Sequence, residues 1–94
     1  MEIRYHLDPE TGLPHIYDHG VTEHEVEEVL LRPGADYPAK RDSRLKMGQT
    51  LAGRYLQVIY VPDEDGIGVF VVTAFEMTEK RKKAFRRRQR RKRR

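Results

Sequence analysis

Every residue that can contribute to a hydrophobic core lies before Arg86. The last nine residues of this 94-residue chain are arginine, lysine and one glutamine. A chain of this length forms one domain, and it buries roughly 60% of the surface that its unfolded form exposes, so we expect modest stability. The sequence therefore predicts a folded domain over residues 1–85 and a basic tail over residues 86–94.

Charge is divided along the chain in a similar way. Residues 80–94 hold twelve of the nineteen Lys and Arg residues and no acid, whereas residues 1–79 hold all fifteen acids and seven bases. The formal charge is thus −8 for the first segment and +12 for the second. A dense positive segment binds polyanions, and nucleic acid is the commonest of these. The alternative is a solvated helix end, since blocks of like charge are often disordered.

The composition also indicates the cellular compartment of the protein. The chain has no cysteine, which excludes disulfides and thiolate metal sites and fits a reducing compartment. No apolar run approaches the ~20 residues that span a bilayer. The first six residues lack the apolar core of a signal peptide. These observations predict a cytoplasmic protein with no membrane partner.

The first quarter of the chain predicts a strand, a turn and a short helix. Residues 2–7 alternate between apolar and polar side chains, as a strand with one buried face does. Residues 8–12, Asp-Pro-Glu-Thr-Gly, form a turn signal. Residues 14–19 predict a short helix that Gly20 ends in a left-handed conformation.

The strongest local signal marks the start of the next helix. Thr22 and Glu25 have the spacing of a capping box, in which each side chain accepts a hydrogen bond from the backbone of the other. Val21 and Val26 have the spacing of a hydrophobic staple around this cap. Glutamates occupy most of the outer faces, and Pro33-Gly34 ends the helix.

Three β segments and a final helix follow. We predict strands over residues 44–49, 54–61 and 67–75, with a hairpin loop between the last two. The third segment is almost continuously apolar, which predicts a central strand covered on both faces. A last helix is predicted over residues 79–90, with Thr78 as its N-cap and no anchor of any kind beyond Phe85.

The four histidines raise the question of a metal. His15 and His19 are four residues apart and can share one side of a helix. Zinc normally takes three or four ligands with supporting hydrogen bonds, and the chain has neither a His-Glu-x-x-His motif nor a cysteine. We therefore predict no metal and no other cofactor, and a local hydrogen bond for His19 at the helix end. The remaining histidines are His6 and His24.

The polar residues near the predicted sheet suit a different chemistry. RNA cleavage without a metal needs a base for the 2′-hydroxyl, an acid for the leaving oxygen and positive charge on the phosphorane. Glu76 is a candidate base, and Arg54 and Arg44 are candidates for holding the phosphate, because guanidinium matches it bidentately. The alternative for each is a strand-edge charge that keeps the sheet soluble.

The order of short motifs resembles a known group. The first of these motifs is Asp8-Pro9. It is followed by His19-Gly20-Val21-Thr22 and Glu25-Val26-Glu27-Glu28-Val29-Leu30. Then come Gly48-Gln49-Thr50, Gly53-Arg54-Tyr55-Leu56-Gln57-Val58-Ile59-Tyr60, Val72-Thr73-Ala74 and Met77-Thr78-Glu79-Lys80. Over about residues 7–88 this order is similar to that of the BrnT-like toxins and related small domains of uncharacterised function.

That resemblance implies a fold and an activity. The implied fold is α+β and RelE-like, with helices packed on a small, mainly antiparallel sheet. The implied protein is the toxin of a bacterial toxin–antitoxin pair, a metal-independent endoribonuclease acting on RNA. Its partners would be RNA or the ribosome and a cognate antitoxin. Arg54 matches the glycine-arginine position of the group, and Thr73 and Ala74 match the small residues that end its last strand.

Two departures from the group concern catalysis. Phe75 stands where arginine is common, and Phe85 stands where tyrosine is common in the final helix. We predict that Arg54 and Glu76 are catalytic and that Arg81 or Lys82 supplies the charge that Phe75 lacks. The predicted RNA contacts are Arg44, Lys46, Lys80, Arg86, Arg87, Arg88, Arg90 and Arg91.

Two other functions remain open from the sequence. The first is a non-catalytic module that binds RNA or the ribosome and keeps the fold and tail without an active site. The second is an interaction protein whose acidic helix over residues 22–31 docks a basic partner. The sequence leaves the oligomeric state and the RNA target undetermined.

Overall fold

A computed structural model describes residues 1–92 as a single sheet with helices on its two faces. None of the described helices has the length and hydropathy to cross a membrane. In chain order the elements are β1 (Glu2–Tyr5), a short 3₁₀-helix (His15–His19), α1 (Glu23–Leu30), β2 (Ala35–Pro38), β3 (Arg44–Gln49), β4 (Tyr55–Pro62), β5 (Gly68–Glu76) and α2 (Glu79–Lys92).

The five strands lie in the order β1-β5-β4-β3-β2. β1 runs parallel to β5, and the other three pairs are antiparallel. This confirms the predicted α+β class and the mainly antiparallel sheet. The bounds of β3 are those predicted, but β2 was missed because it is a four-residue edge strand ending in Pro38. A short segment of this kind carries little β signal of its own.

One face of the sheet is covered by α1. Thr22 Oγ1 accepts a hydrogen bond from the Glu25 N–H at 3.2 Å, and the Thr22 N–H donates to Glu25 Oε1 at 3.0 Å, so the predicted capping box is present. Gly20 has φ 68°, the predicted left-handed cap. The buried residues beneath this face are Ile16, Val21, Val26, Val29, Leu30, Leu56, Val58, Tyr60, Val69, Val71 and Ala74.

The opposite face is only partly covered. α2 packs Phe85 against Met47 and Met77, with Tyr55 and the edge strand beside them. Cross-strand partners share a face, so the row Phe75–Gln57–Met47 lies on this side of the sheet. α2 covers the Met47 end of the row, whereas Phe75 is only partly buried. The prediction that β5 is covered on both faces is therefore wrong.

A bulge explains why β5 shows no alternation in its sequence. The register with β4 shifts between Ile59 and Tyr60, so Val72 is an extra residue on β5. As a result Val71 and Ala74, three residues apart, both enter the core beneath α1. Such an insertion breaks the two-residue period of a strand, and here it hides the half-exposed face of β5 from sequence reasoning.

Candidate functional site

Arg54 occupies the centre of a polar cluster at one end of the β4–β5 hairpin. Its Nε donates to Glu76 Oε1 at 2.9 Å, and its Nη1 donates to Glu25 Oε2 at 2.8 Å. Nη1 also donates to the Gly20 carbonyl at 2.9 Å. The hairpin thus brings Arg54 and Glu76 into contact, as the strand order predicts. The cluster joins the end of the 3₁₀-helix, the start of α1 and the end of β5.

The two carboxylates hold Arg54 in its charged form. Burial acts to lower the pKa of Arg54, but its hydrogen bonds to Glu76 and Glu25 outweigh this and raise it. Burial acts to raise the pKa of Glu25, and the bonds from Thr22 and Arg54 outweigh it, so this pKa lies below its usual value. The Glu76 side chain is 61% exposed. It is the more exposed of the two carboxylates that hold Arg54, since the Glu25 side chain is 18% exposed.

Arg81 and Lys82 lie in the first turn of α2. The Arg81 N–H donates to Thr78 Oγ1 at 3.2 Å, which confirms Thr78 as the N-cap. Lys82 Nζ lies 5.1 Å from the centroid of the Tyr55 ring, a cation–π distance. Within residues 1–92 no ion pair joins either side chain to Glu76. Their catalytic roles stay predictions.

Two of the predicted RNA contacts are engaged inside the fold. Arg44 Nε donates to Asp36 Oδ1 at 2.9 Å, and the Tyr60 hydroxyl donates to Asp36 Oδ2 at 2.6 Å. Burial and this bond to Asp36 raise the pKa of Tyr60 to about 12. Lys46 is 9% exposed, and its Nζ donates to the carbonyls of Leu30, at 3.1 Å, and Arg32.

The bonds of Lys46 satisfy carbonyls at the C-terminal end of α1, where a cation also complements the helix dipole. Lys46 and Arg44 therefore support the fold in this structure. Most of the accessible positive charge lies on α2, and Arg32, Lys40 and Arg41 are the other exposed cationic side chains without an ion pair among the described residues.

The basic side chains of α2 surround one buried anchor. Phe85 is buried, and its ring meets the Tyr55 ring edge-on with centroids 5.9 Å apart. Arg88 donates to the Tyr37 hydroxyl and lies 5.3 Å from the centroid of that ring. The contact gives α2 a second anchor beyond Phe85, contrary to prediction. The predicted RNA contacts exposed on α2 are Lys80, Arg86, Arg87, Arg88, Arg90 and Arg91.

Three histidines line a shallow depression beside β5. The His15 ring centroid lies 5.9 Å from that of His6 and 5.4 Å from that of His19. His19 in turn lies 6.0 Å from Phe75, and Thr73 also lines the depression. Among described residues, the buried Thr73 hydroxyl oxygen has no hydrogen-bond partner. Sequence reasoning assigned His19 a local hydrogen bond; the structure places its ring against His15 and Phe75.

A second polar group adjoins this depression. One ligand-type atom each of Asp8, His15 and Asp18 lies within 4.8 Å of the other two. The spacing of His15 and Asp18 in the sequence indicates this proximity once a helix is predicted there. Asp8 joins them only through the folding of the loop that precedes the 3₁₀-helix.

Fold and site together define a small α+β domain with a mixed five-stranded sheet, an arginine held between carboxylates and a basic helix. Residues 15–76 match the family described as a domain of unknown function (DUF4258), and the chain belongs to this family. The matched segment includes Arg54 and Glu76 but neither β1 nor α2. No curated protein and no solved structure matches the chain.

Proposed function

We propose that this protein binds RNA in the cytoplasm and that α2 is its principal contact. The observation that carries this proposal is the exposed basic surface of α2, held against the sheet by Phe85. A 14-residue helix is about 21 Å long, so its charges can meet several consecutive phosphates. Arginine contributes most of the positive charges of α2, and its guanidinium pairs with phosphate bidentately.

The rest of the molecule favours contact through α2 and disfavours contact elsewhere. Residues 1–79 have a formal charge of −8, so they repel a polyanion. Arg4, Arg44 and Arg54 already pair with carboxylates. Three further cations of this segment are exposed, Arg32, Lys40 and Arg41, but α2 exposes more of them on one continuous element, so it is the main attractive surface for RNA.

The experiment that tests this proposal measures binding of the protein to a 20-nucleotide single-stranded RNA at several salt concentrations. The variant replaces Arg86, Arg87, Arg90 and Arg91 with Gln, which keeps the helix and leaves the contact between Arg88 and Tyr37 intact. Each single-strand phosphate contact contributes about 0.7 to the slope of log K against log[salt]. We expect the slope to fall by up to about 3 and affinity at low salt to fall by at least about 10²-fold.

Arg4→Gln serves as the control, because it removes a charge from β1. This strand lies at the edge of the sheet opposite β2, whose Tyr37 contacts α2. Circular dichroism checks that helix content is retained. A slope that is the same in the fourfold variant and in the wild type would exclude α2 as the RNA contact.

A second candidate function is a metal-independent endoribonuclease, the toxin of a toxin–antitoxin pair with a cognate antitoxin as partner. The contact between Arg54 and Glu76 favours it, because a cation and a carboxylate meet at one end of the β4–β5 hairpin. In this mechanism Glu76 accepts the proton of the 2′-hydroxyl as the 2′-oxygen attacks phosphorus, and Arg54 stabilises the charge of the phosphorane. The bond from phosphorus to the 5′-oxygen then breaks, and that oxygen takes a proton from water. Arg81 or Lys82 adds positive charge. The pair between Arg54 and Glu76 must open to admit the phosphate.

Incubation of the pure protein with total RNA in EDTA, followed by mapping of 5′ ends, tests this candidate. We expect discrete cleavage that Arg54→Ala lowers by about 10²-fold or more and that Phe75→Arg increases. If the wild type and Phe75→Arg both bind RNA but leave it uncut, RNA binding without cleavage stands. Toxicity on expression that a neighbouring small gene relieves would support the antitoxin pairing.

A further inference from the structure

We propose that Asp8, His15 and Asp18 bind a divalent transition-metal ion such as Zn²⁺, with water in the remaining coordination position. The inference is independent of RNA binding and uses none of the α2 residues. It also departs from the sequence-based expectation of no metal, which did not group Asp8 or Asp18 with His15.

The backbone fixes two of these residues relative to each other. The His15 N–H donates to the His6 carbonyl at 2.9 Å, and the Asp8 N–H donates to the Leu13 carbonyl at 2.8 Å. These bonds pair the segment after β1 with the segment before the 3₁₀-helix. The turn between the two segments is closed by Gly12, which has φ 73° and donates to the Asp8 carbonyl at 2.7 Å. His6, Asp8 and His15 therefore project from a paired backbone.

Helix geometry brings in Asp18. Side chains three residues apart are eclipsed in a 3₁₀-helix, so His15 and Asp18 lie on the same side of the segment His15–His19. Their Nδ1 and Oδ2 atoms are 3.4 Å apart. This is longer than an ordinary N–H···O hydrogen bond, about 2.7–3.2 Å. It matches the separation of about 3.3 Å between two ligands of a tetrahedral zinc ion with bonds of about 2.0–2.1 Å.

Asp8 provides a third ligand with its own support. The ligand-type atoms of all three residues lie within 4.8 Å of one another, so modest side-chain rotations bring them to coordinating distance. Asp8 Oδ1 accepts a hydrogen bond from the Glu10 N–H at 2.9 Å, which orients the carboxylate and leaves the other oxygen free. Carboxylates that bind metal ions are usually held by a further hydrogen bond of this sort.

The donor set consists of one imidazole and two carboxylates. The rings of His6 and His19 lie beside it, with centroids 5.9 and 5.4 Å from that of His15, but neither belongs to the group of close ligand atoms. Imidazole with carboxylate suits zinc, cobalt and nickel, whereas calcium and magnesium favour oxygen ligands alone. The chemistry therefore points to a transition metal.

The chain also contains a matched control. His24 and Glu28 on α1 have the same 3.4 Å separation of nitrogen and oxygen as His15 and Asp18. No group of three ligands includes this pair among the described residues. A histidine–carboxylate pair alone should bind an ion weakly, so any difference between the two sites measures the contribution of the additional ligand, Asp8.

The experiment is calorimetric titration of untagged, chelator-treated protein with ZnCl₂, together with absorption spectroscopy of the Co²⁺ form. We expect one ion per chain, a tetrahedral Co²⁺ spectrum and a higher melting temperature with Zn²⁺, because a ligand that binds the native state stabilises it. His15→Ala and Asp18→Asn should each weaken binding at least tenfold, and His24→Ala should leave it unchanged.

The Asp18→Asn variant keeps the test valid should His15→Ala disturb the fold, because the Asp18 side chain is 56% exposed. The proposal is wrong if wild-type protein binds Zn²⁺ no more tightly than Mg²⁺. It is also wrong if His24→Ala weakens binding as much as Asp18→Asn does. Neither result affects the proposal that α2 binds RNA.

Discussion

The two α-helices of this protein differ in how much of their surface they bury. α1 has eight residues and buries Val26, Val29 and Leu30. α2 has fourteen residues but buries Phe85 alone among those whose side chains are described. The buried cluster beneath α1 has eleven members and that beneath α2 has three. α1 therefore contributes mainly to stability, whereas α2 presents charge, with just enough apolar contact to hold its position.

Their charges reinforce this difference. α1 places Glu23 and Glu25 in its first turn, where negative charge complements the helix dipole. α2 has one acid, Glu79, and its remaining charges are positive and mutually repulsive. A helix of this kind gains little from its own sequence and depends on docking, or on a bound polyanion, to stay ordered.

The largest expected effect is on the free energy of unfolding. It compares the buried cluster beneath α1 with the one beneath α2. Val71 is fully buried beneath α1, and Val71→Ala should lower the free energy of unfolding by about 2 kcal/mol or more by leaving a cavity. Phe85→Ala removes more atoms but should mainly release α2. Urea unfolding followed by tyrosine fluorescence measures the first effect, and native-state hydrogen exchange of α2 amides measures the second.

The comparison fails if Phe85→Ala lowers the global free energy of unfolding more than Val71→Ala does. In that case α2 would belong to the cooperative unit of the fold. Loss of protection confined to α2, with β4 and β5 amides unchanged, would confirm that α2 opens separately.

A smaller effect compares the two N-caps. Thr22→Ala should cost about 1 kcal/mol of global stability, because it leaves the backbone N–H of Glu25 without its acceptor. Thr78→Ala makes the same chemical change at α2 and should reduce helix content with little effect on global stability. Thermal melts followed by circular dichroism compare the two variants. Equal global losses would contradict the assignment of separate roles.

The smallest expected effect at neutral pH concerns Arg54, which links α1 to β5. The pKa of Glu25 is lowered in the folded protein, so its ionisation stabilises the fold above the unfolded pKa of about 4.3. This stabilisation is lost as pH falls through the folded pKa. Arg54→Met should raise the pKa of Glu25 and weaken this acid dependence.

Urea unfolding at pH 7, 5 and 3 provides the measurement for Arg54→Met. The difference in unfolding free energy between the wild type and the variant should narrow as the pH falls below about 4. Glu25→Gln is the control, because combining it with Arg54→Met should add little further loss. A difference that stays constant with pH would mean that Arg54 acts through the Gly20 carbonyl instead, because that partner does not titrate.

The sequence by itself determined the local structure. The capping box at Thr22, the left-handed Gly20, the bounds of β3 and the alternation in β4 follow from bonds and periods that span a few residues. The charge division is also a property of the sequence, and it predicts α2 as the basic element. The contact between Arg54 and Glu76 follows from pairing consecutive strands, the commonest connection in a sheet.

Tertiary structure alone decided the features that depend on partners distant in the chain. The parallel pairing of β1 with β5, the edge strand β2 and the bulge at Val72 each require two segments to meet. Two further features depend on how loops fold back. They are the hydrogen bond from Lys46 to the C-terminal end of α1 and the grouping of Asp8 with His15 and Asp18. Such contacts arise because the whole core must close, and no local preference of the individual residues specifies them.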